Sequence, residues 1–415
     1  MPDSAKAKRP LRVGIIGGGI GGAATARALR QRGFEVHIFE KSDHFGEVGA
    51  GVQMTPNATR TLKALGVGEG LKRVGFLPES MTGYNWQTAE KTFRTPLRET
   101  AVANFGAEFY HVHRADLLDI LVEGLPDSCV TFNARCTGVE TKDNTAIARF
   151  ADGSSYEADL IVGADGIHSA VRDALWGRTQ ATFTGHMCWR ALVPVDRHPL
   201  PFVEPVAAFW MGPKAHVVTY YVKGGAAVNI VAVAESEDWV KESWTEPSST
   251  GELLNAYQGW HENLIRLLAM TDPTQTFKWG LFDRDPMQCW SKGRATLLGD
   301  AAHPMLPFLS QGAAMAIEDG YVLAAALQAF GDDVDHALVA YEAERLPRTA
   351  RVQMEARERG KTYHLATPEE QRKRDEEMKQ RQKDDPNAVG IKAEWVYSYD
   401  SVACIERFPA KASVA

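Results

Sequence analysis

VGIIGGGIGGAATARALRQRGFEVHIFE, Val13–Glu40, reads as a buried strand, a glycine turn, an Ala/Leu-rich helix and a second strand that ends on a carboxylate. Gly17, Gly19 and Gly22 fall in G-x-G-x-x-G spacing. That spacing lets the backbone turn tightly, approach a pyrophosphate and pack the helix against the strand. The N–H groups that open the helix favour phosphate charge. Glu40 lies where a carboxylate accepts hydrogen bonds from ribose hydroxyls, and it disfavours a 2′-phosphate there. The unit predicts a dinucleotide site, without choosing between flavin and nicotinamide types, which share an ADP half.

Two later segments make that choice. DLIVGADGIHSAVR, 159–172, runs an apolar strand into Gly163, Asp165 and Gly166 before a helix expected to contain Ser169 and Arg172. ATLLGDAAHPMLPFLSQGAAMAIEDG, 295–320, is another buried strand ending at Gly299 and Asp300, then a Pro-rich loop and a helix. Together with Val13–Glu40, these segments resemble the three motifs of the flavoprotein aromatic hydroxylases, single-component FAD monooxygenases that use NADH or NADPH and O₂. The resemblance runs from about residue 11 to about residue 355.

Composition agrees with a small-molecule enzyme. A chain of 415 residues with 44% apolar content supplies ample core, and a net charge of −7 argues against a nucleic-acid surface. The leader MPDSAKAKRP has no apolar export segment behind it. No run approaches the ~18 apolar residues of a membrane span. Cys129, Cys136, Cys188, Cys289 and Cys404 are scattered, odd in number and without C-x-x-C spacing, which suits reduced thiols in a cytoplasm. No metal site is expected.

The motifs are separated by other material, so the FAD-binding domain is discontinuous. The expected fold class is α/β: a Rossmann-like FAD-binding domain from 1–79, 108–180 and 281–350, with an antiparallel-sheet substrate domain inserted as 80–107 and 181–280. AAFWMGP, AHVVTYYV and AAVNIVAVAE carry the aromatic and β-branched texture of that sheet. TGYNWQTAEKTFRTPL adds further strands. Residues 351–415 form a C-terminal helical segment, in which the densely charged stretch 367–387 reads as a solvated helix without chemistry.

The resemblance implies roles residue by residue. Asp300 would bind the ribityl or ribose region, and Arg114 would lie near the FAD pyrophosphate. Asp165 belongs to the second cofactor motif, where Arg172 would orient the loop. Gln53 would sit in a loop beside the flavin. The helix start at Gln311, Gly312 and Ala313 would stabilise negative charge on the reduced flavin. Met305 and Pro307 would line the substrate face, and His303 is read as structural. One full dinucleotide fingerprint implies that NADH or NADPH docks transiently. Oxygen transfer would proceed through the flavin C4a-hydroperoxide.

His216 and Tyr220 stand four residues apart in KAHVVTYYV, so on a strand both face one side. In related hydroxylases a His and a Tyr at this spacing reach the substrate hydroxyl. His216 is therefore the expected base or hydrogen-bond partner, and Tyr220 positions the ring or relays the proton. WQT, YHVHRADL, the 283–305 run and SQGAAMAIED look most like 6-hydroxynicotinate 3-monooxygenase and salicylate hydroxylase. FGEVGAGVQ and WVYSYD look more like 3-hydroxybenzoate 6-hydroxylase, a group that tends to carry Gln where this chain has Pro307. The expected substrate is a hydroxylated aromatic acid, hydroxylated with or without loss of CO₂ by a cytoplasmic monomer or homodimer. An NAD-dependent dehydrogenase and a noncatalytic flavin-fold binding protein remain the alternatives.

Overall fold

The strand Arg12–Ile16 lies at the centre of a five-stranded parallel sheet. Leu160–Gly163 and Ala295–Leu297 lie to one side of it, and Glu35–Phe39 and Val130–Thr131 to the other. Val13, Ile15, Ile38, Ile161 and Val162 are fully buried, as expected for parallel strands covered on both faces. This computed structural model describes residues 9–46, 50–195, 200–236, 246–389 and 392–408. The first eight residues of the leader, and residues 47–49 of the FGEVGAGVQ run, lie outside these limits.

An eight-stranded sheet forms the second layer. Its order is Glu246–Pro247, Phe277–Asp283, Thr182–Pro194, Ala227–Glu235, Ala215–Val222, Ala207–Gly212, Ser80–Asn85 and Lys91–Pro96. It is not wholly antiparallel: Ala207–Gly212 pairs parallel with Ser80–Asn85. The Ser80–Pro96 hairpin arrives from a distant excursion of the chain, so no tight turn dictates its direction. The rest of the 80–107 stretch turns helical, at Arg98–Phe105. Along the central strands the side chains alternate. Val217 and Tyr221 pack on the helices Thr250–Ala256 and Glu262–Ala269, while Val218 and Tyr220 face the parallel-sheet layer.

Long helices lock the layers together. Gly312–Phe330 packs on Ile20–Gln31, and Val334–Tyr363 then runs without interruption through the expected border at 350/351. The charged stretch is a helix, Pro368–Asp384, opened by a capping box between Thr367 and Glu370. It is not merely solvated. Gln371, Arg374 and Asp375 are buried, and Gln371 Oε1 accepts from Trp86 Nε1 at 3.2 Å. Its alternating charges leave one face able to cover the edge strand Lys91–Pro96, a device that blocks pairing with other chains. Among the described residues, no helix is long and apolar enough to cross a membrane.

Candidate active site

Between the two sheets lies a cavity of about 680 Å³, within the ~300–1,000 Å³ usual for small-molecule sites. On the parallel-sheet side Gly17, Gly19, Glu40, Arg114 and Asp165 line it. Gln53, Asp300, Gly312 and Ala313 follow, and Met305, Pro307, His216 and Tyr220 line it toward the large sheet. Gly22 is not part of the wall. A Cβ there would stand 2.0 Å from the Gly17 carbonyl oxygen, so its role is close packing of helix on turn. Gly17 itself has φ +104°, and a Cβ would fall 2.4 Å from the Ala164 carbonyl.

The individual residues divide between touching the cavity and shaping it. Glu40 accepts from Gly18 N at 2.7 Å and from Ser42 N at 2.9 Å, which pins its carboxylate at the glycine turn. Asp165 lines the wall, yet its carboxylate accepts from Ala170 N at 2.7 Å and from Ser169 Oγ, capping the helix Ala170–Trp176. Burial pushes its carboxyl pKa up. Ser169 is the N-cap of that helix and not within it, because its hydroxyl accepts from Arg172 N. Arg172 donates to the carbonyls of Ile167, at 2.8 Å, and Ala301, at 3.2 Å, so it ties the second and third motifs together from behind the wall. His303 is buried and bonded to Asp319 at 2.6 Å, a structural position.

The wall fits FAD. Gln53 lies on the strand Gly51–Met54 and not in a loop; it is 3% exposed, and its Nε2 has no partner in the protein. A buried amide without a partner is costly unless a ligand satisfies it. Gly312–Phe330 opens at the cavity with no side-chain cap and no acidic residue in its first turn, leaving N–H groups for an anion. Asp300 stands beside that opening, its Oδ1 3.9 Å from where a Cβ on Gly312 would lie. Asp300→Ala is expected to lower the FAD-to-protein absorbance ratio after gel filtration; a fully flavinylated, active variant would remove the carboxylate from the binding set.

Sheet register builds the far end. Side chains directly opposite on neighbouring strands share a face. Arg190 faces Val231, which faces Val218; one step along, Cys188 faces Val233, which faces His216. Tyr220 is one step the other way, opposite Asn229. His216 and Tyr220 thus share the inner face but stand ~13 Å apart along the strand, with Val218 between them. Both line the cavity, at separate places on that face. Phe209, Phe277, Trp279 and Leu281 supply apolar wall.

Burial lowers the His216 pKa to about 3, with nearby His186 adding to the effect, so the ring is neutral at pH 7. Burial raises Tyr220 well above its ordinary value. Two side chains near this end escape sequence reasoning. Arg190 lines the cavity, its buried Nε has no partner, and its guanidinium lies 4.8 Å from the Trp279 ring centre. A single arginine inside the otherwise apolar stretch MCWRALV was the available signal. His364, at the end of the long helix, bonds His216 through Nε2 and Nδ1 at 2.6 Å, and nothing local in the sequence announces it. Although no metal site is expected, His186, Glu235 and His364 bring ligand-type atoms within 4.8 Å of one another.

The FAD binding domain family model matches residues 10–356. The chain is 42% identical to 3-amino-4-hydroxybenzoate 2-monooxygenase of Streptomyces platensis, over 94% of this chain and 96% of that protein. It is 38% identical to 6-hydroxynicotinate 3-monooxygenase of Pseudomonas fluorescens, over 82% and 89% respectively. A salicylate hydroxylase substrate complex superposes with a TM-score of 0.81 at 28% identity, covering 99% of this chain and 100% of that one.

Proposed function

This chain belongs to the FAD binding domain family and is an FAD-dependent aromatic monooxygenase; we propose that its substrate is an aromatic acid carrying a hydroxyl across the ring from its carboxylate. The observation that carries this reading is the pairing of Arg190 with His216 on one apolar face. The two lie two strands and two residues apart, ~12 Å between α-carbons. Arg190, with an unsatisfied Nε, suits a carboxylate. His216, neutral and lining the same cavity, suits a hydroxyl. A 1,4 arrangement, as in 3-amino-4-hydroxybenzoate or 6-hydroxynicotinate, spans that gap; the 1,2 arrangement of salicylate and the 1,3 arrangement of 3-hydroxybenzoate span less of it.

FAD bound here would supply the redox and oxygen-transfer chemistry, with NADH or NADPH as the reductant and O₂ as the oxygen source. The chain's own residues prepare the substrate ring. Arg190 anchors the acid. His216 draws the proton from the hydroxyl and so enriches the ring in electrons. Tyr220 lines the cavity at a separate place on the same sheet face, and the Met305–Pro307 loop and Trp279 exclude water. Arg114 and Glu40 would hold the ADP half of the cofactor, and the open helix start at Gly312 would supply N–H groups to its negative charge.

The test is oxidation of NADH and NADPH by FAD-loaded protein with 3-amino-4-hydroxybenzoate, 6-hydroxynicotinate, 4-hydroxybenzoate, salicylate and 3-hydroxybenzoate, with products weighed by mass spectrometry. A 1,4 substrate gaining one oxygen is the expected result, and concurrent loss of CO₂ marks attack at the carboxylated carbon. Preferred turnover of salicylate or 3-hydroxybenzoate would refute the 1,4 reading. Arg190→Met is expected to raise KM for the preferred acid by about 10–100-fold, the loss of a charge-assisted hydrogen bond worth ~1.5–3 kcal/mol. An unchanged KM would take the carboxylate away from Arg190.

A further inference from the structure

The proton that leaves a buried hydroxyl needs a way out. His216 and His364 are 3% and 4% exposed, and they share one hydrogen bond, Nδ1 of the first to Nε2 of the second, at 2.6 Å. Using Nδ1 in this way leaves the Nε2 of His216 for the cavity it lines. The other nitrogen of His364, Nδ1, is buried and has no partner. The ring of His364 lies 4.9 Å from that of half-buried His186. Cross-strand register sets His186 directly opposite Glu235, an exposed residue. Atoms of His186, Glu235 and His364 fall within 4.8 Å of one another, a gap that one water spans with two hydrogen bonds.

We propose that His364 is the proton-relay residue of this site, carrying the substrate proton from His216 toward half-buried His186 and exposed Glu235. This rests on the reading of His216 as base. The hydroxyl O–H bond breaks as an N–H bond forms at His216 Nε2; at the same time His216 Nδ1–H passes its proton to His364 Nε2, and His364 Nδ1–H gives its own to Glu235, to His186 or to water between them. Each imidazole begins and ends neutral, with its tautomer exchanged. When the ring is reprotonated, the same steps run backward and restore both tautomers.

The surroundings require this concerted passage. Burial holds both His216 and His364 far below the usual imidazole range; nearby His186 adds to this at both rings, and His216 adds to it at His364. Neither can keep a proton gained at one nitrogen without losing that at the other. Facing the pair are His186 on its strand, Glu235 with Lys214 at 3.9 Å, the Tyr363 phenol, and Arg374, which donates to the carbonyls of Met211 and Thr362 at 3.4 Å. Phe308 closes the remaining side. Among the described residues, the carboxylates around this group are Glu235, Asp283, whose charge reaches His186 and which Arg357 pairs at 2.7 Å, and Asp375, which Arg374 pairs at 2.8 Å. Of these Glu235 is the one set directly opposite His186 on the neighbouring strand.

The experiment mixes FAD-loaded protein, without NADH, with 3-amino-4-hydroxybenzoate and separately with 6-hydroxynicotinate in a stopped-flow instrument. Ring ultraviolet absorbance reports ionisation, and a pH dye reports the released proton. The wild type is expected to ionise the ring and release a proton, and His216→Gln to bind without ionising it. His364→Gln is expected to bind the acid and ionise it ~10-fold or more slowly at pH 7, with the deficit vanishing as pH rises past the hydroxyl's own pKa. Exposed Glu235→Gln carries little folding risk, and it should slow proton release in the same pH-dependent way. If His364→Gln and Glu235→Gln match the wild type at every pH while His216→Gln fails, the relay is wrong and the base stands. If His216→Gln also matches the wild type, or if the wild type ionises neither acid, the base reading and the relay fall together.

Discussion

His216→Gln is expected to lower the rate of hydroxylation at pH 7 by ~10²–10⁴-fold, the range for a positioned acid–base group, while FAD content stays at the wild-type level. The reason is chemical. Glutamine fills a similar volume and hydrogen bonds the hydroxyl, but cannot take its proton. His216 lines the substrate end of the cavity and not the glycine turn, so cofactor retention does not depend on it. Its low pKa, about 3, keeps the base form fully populated down to mildly acid pH. The wild-type rate should therefore not collapse through this group as pH falls from 8 to 5, whereas the variant should recover as alkali ionises the substrate in its place. Product formation measured across that range decides the matter: a variant hydroxylating at the wild-type rate at pH 7 has no need of this base.

Arg345→Met should produce the largest loss of stability. Arg345 is fully buried between two carboxylates, with Nη1 2.7 Å from Glu318 and Nε 2.8 Å from Asp319. Arg348 meets Glu318 at 2.8 Å, Asn57 donates to Glu318 at 2.7 Å, and His303 meets Asp319 at 2.6 Å. Removing one partner of a buried pair leaves charge uncompensated and costs about 3–5 kcal/mol. Here two carboxylates would share what remains. Asp319 also accepts from Gly299 N at 3.0 Å, which holds the turn carrying Asp300 at the cavity wall. The variant is thus expected to lose FAD affinity together with stability, read by denaturant titration and by flavin absorbance. A shift of less than ~1 kcal/mol would mean that the two acids are protonated or otherwise solvated in the fold, contrary to the lowered pKa values that their arginine and histidine neighbours produce.

The amino-acid sequence alone determined what depends on near neighbours in the chain. The glycine spacing after Ile16, the carboxylate closing the second strand and the Gly-Asp turns before two further helices are local devices. Each works through backbone geometry within a few residues, so a motif read in one dimension lands on the cavity: Gly17, Glu40, Asp165 and Asp300 all do. The shared face of His216 and Tyr220 was legible for the same reason, since strands alternate with period two.

Tertiary structure decided the rest. Whether His216 is paired, and with what, depends on the end of a helix 148 positions away in the chain. Arg190 faces the cavity because strand register sets it across from Val231, and His186 meets Glu235 by the same register; an alternating pattern identifies a face without saying what lies opposite. The charged stretch 367–387 has the composition of a solvated helix, yet one of its faces covers an exposed sheet edge, a contact no periodicity reports. The cofactor cradle is written in short-range backbone geometry, whereas the proton path and the carboxylate anchor exist only once the sheet has chosen its pairing.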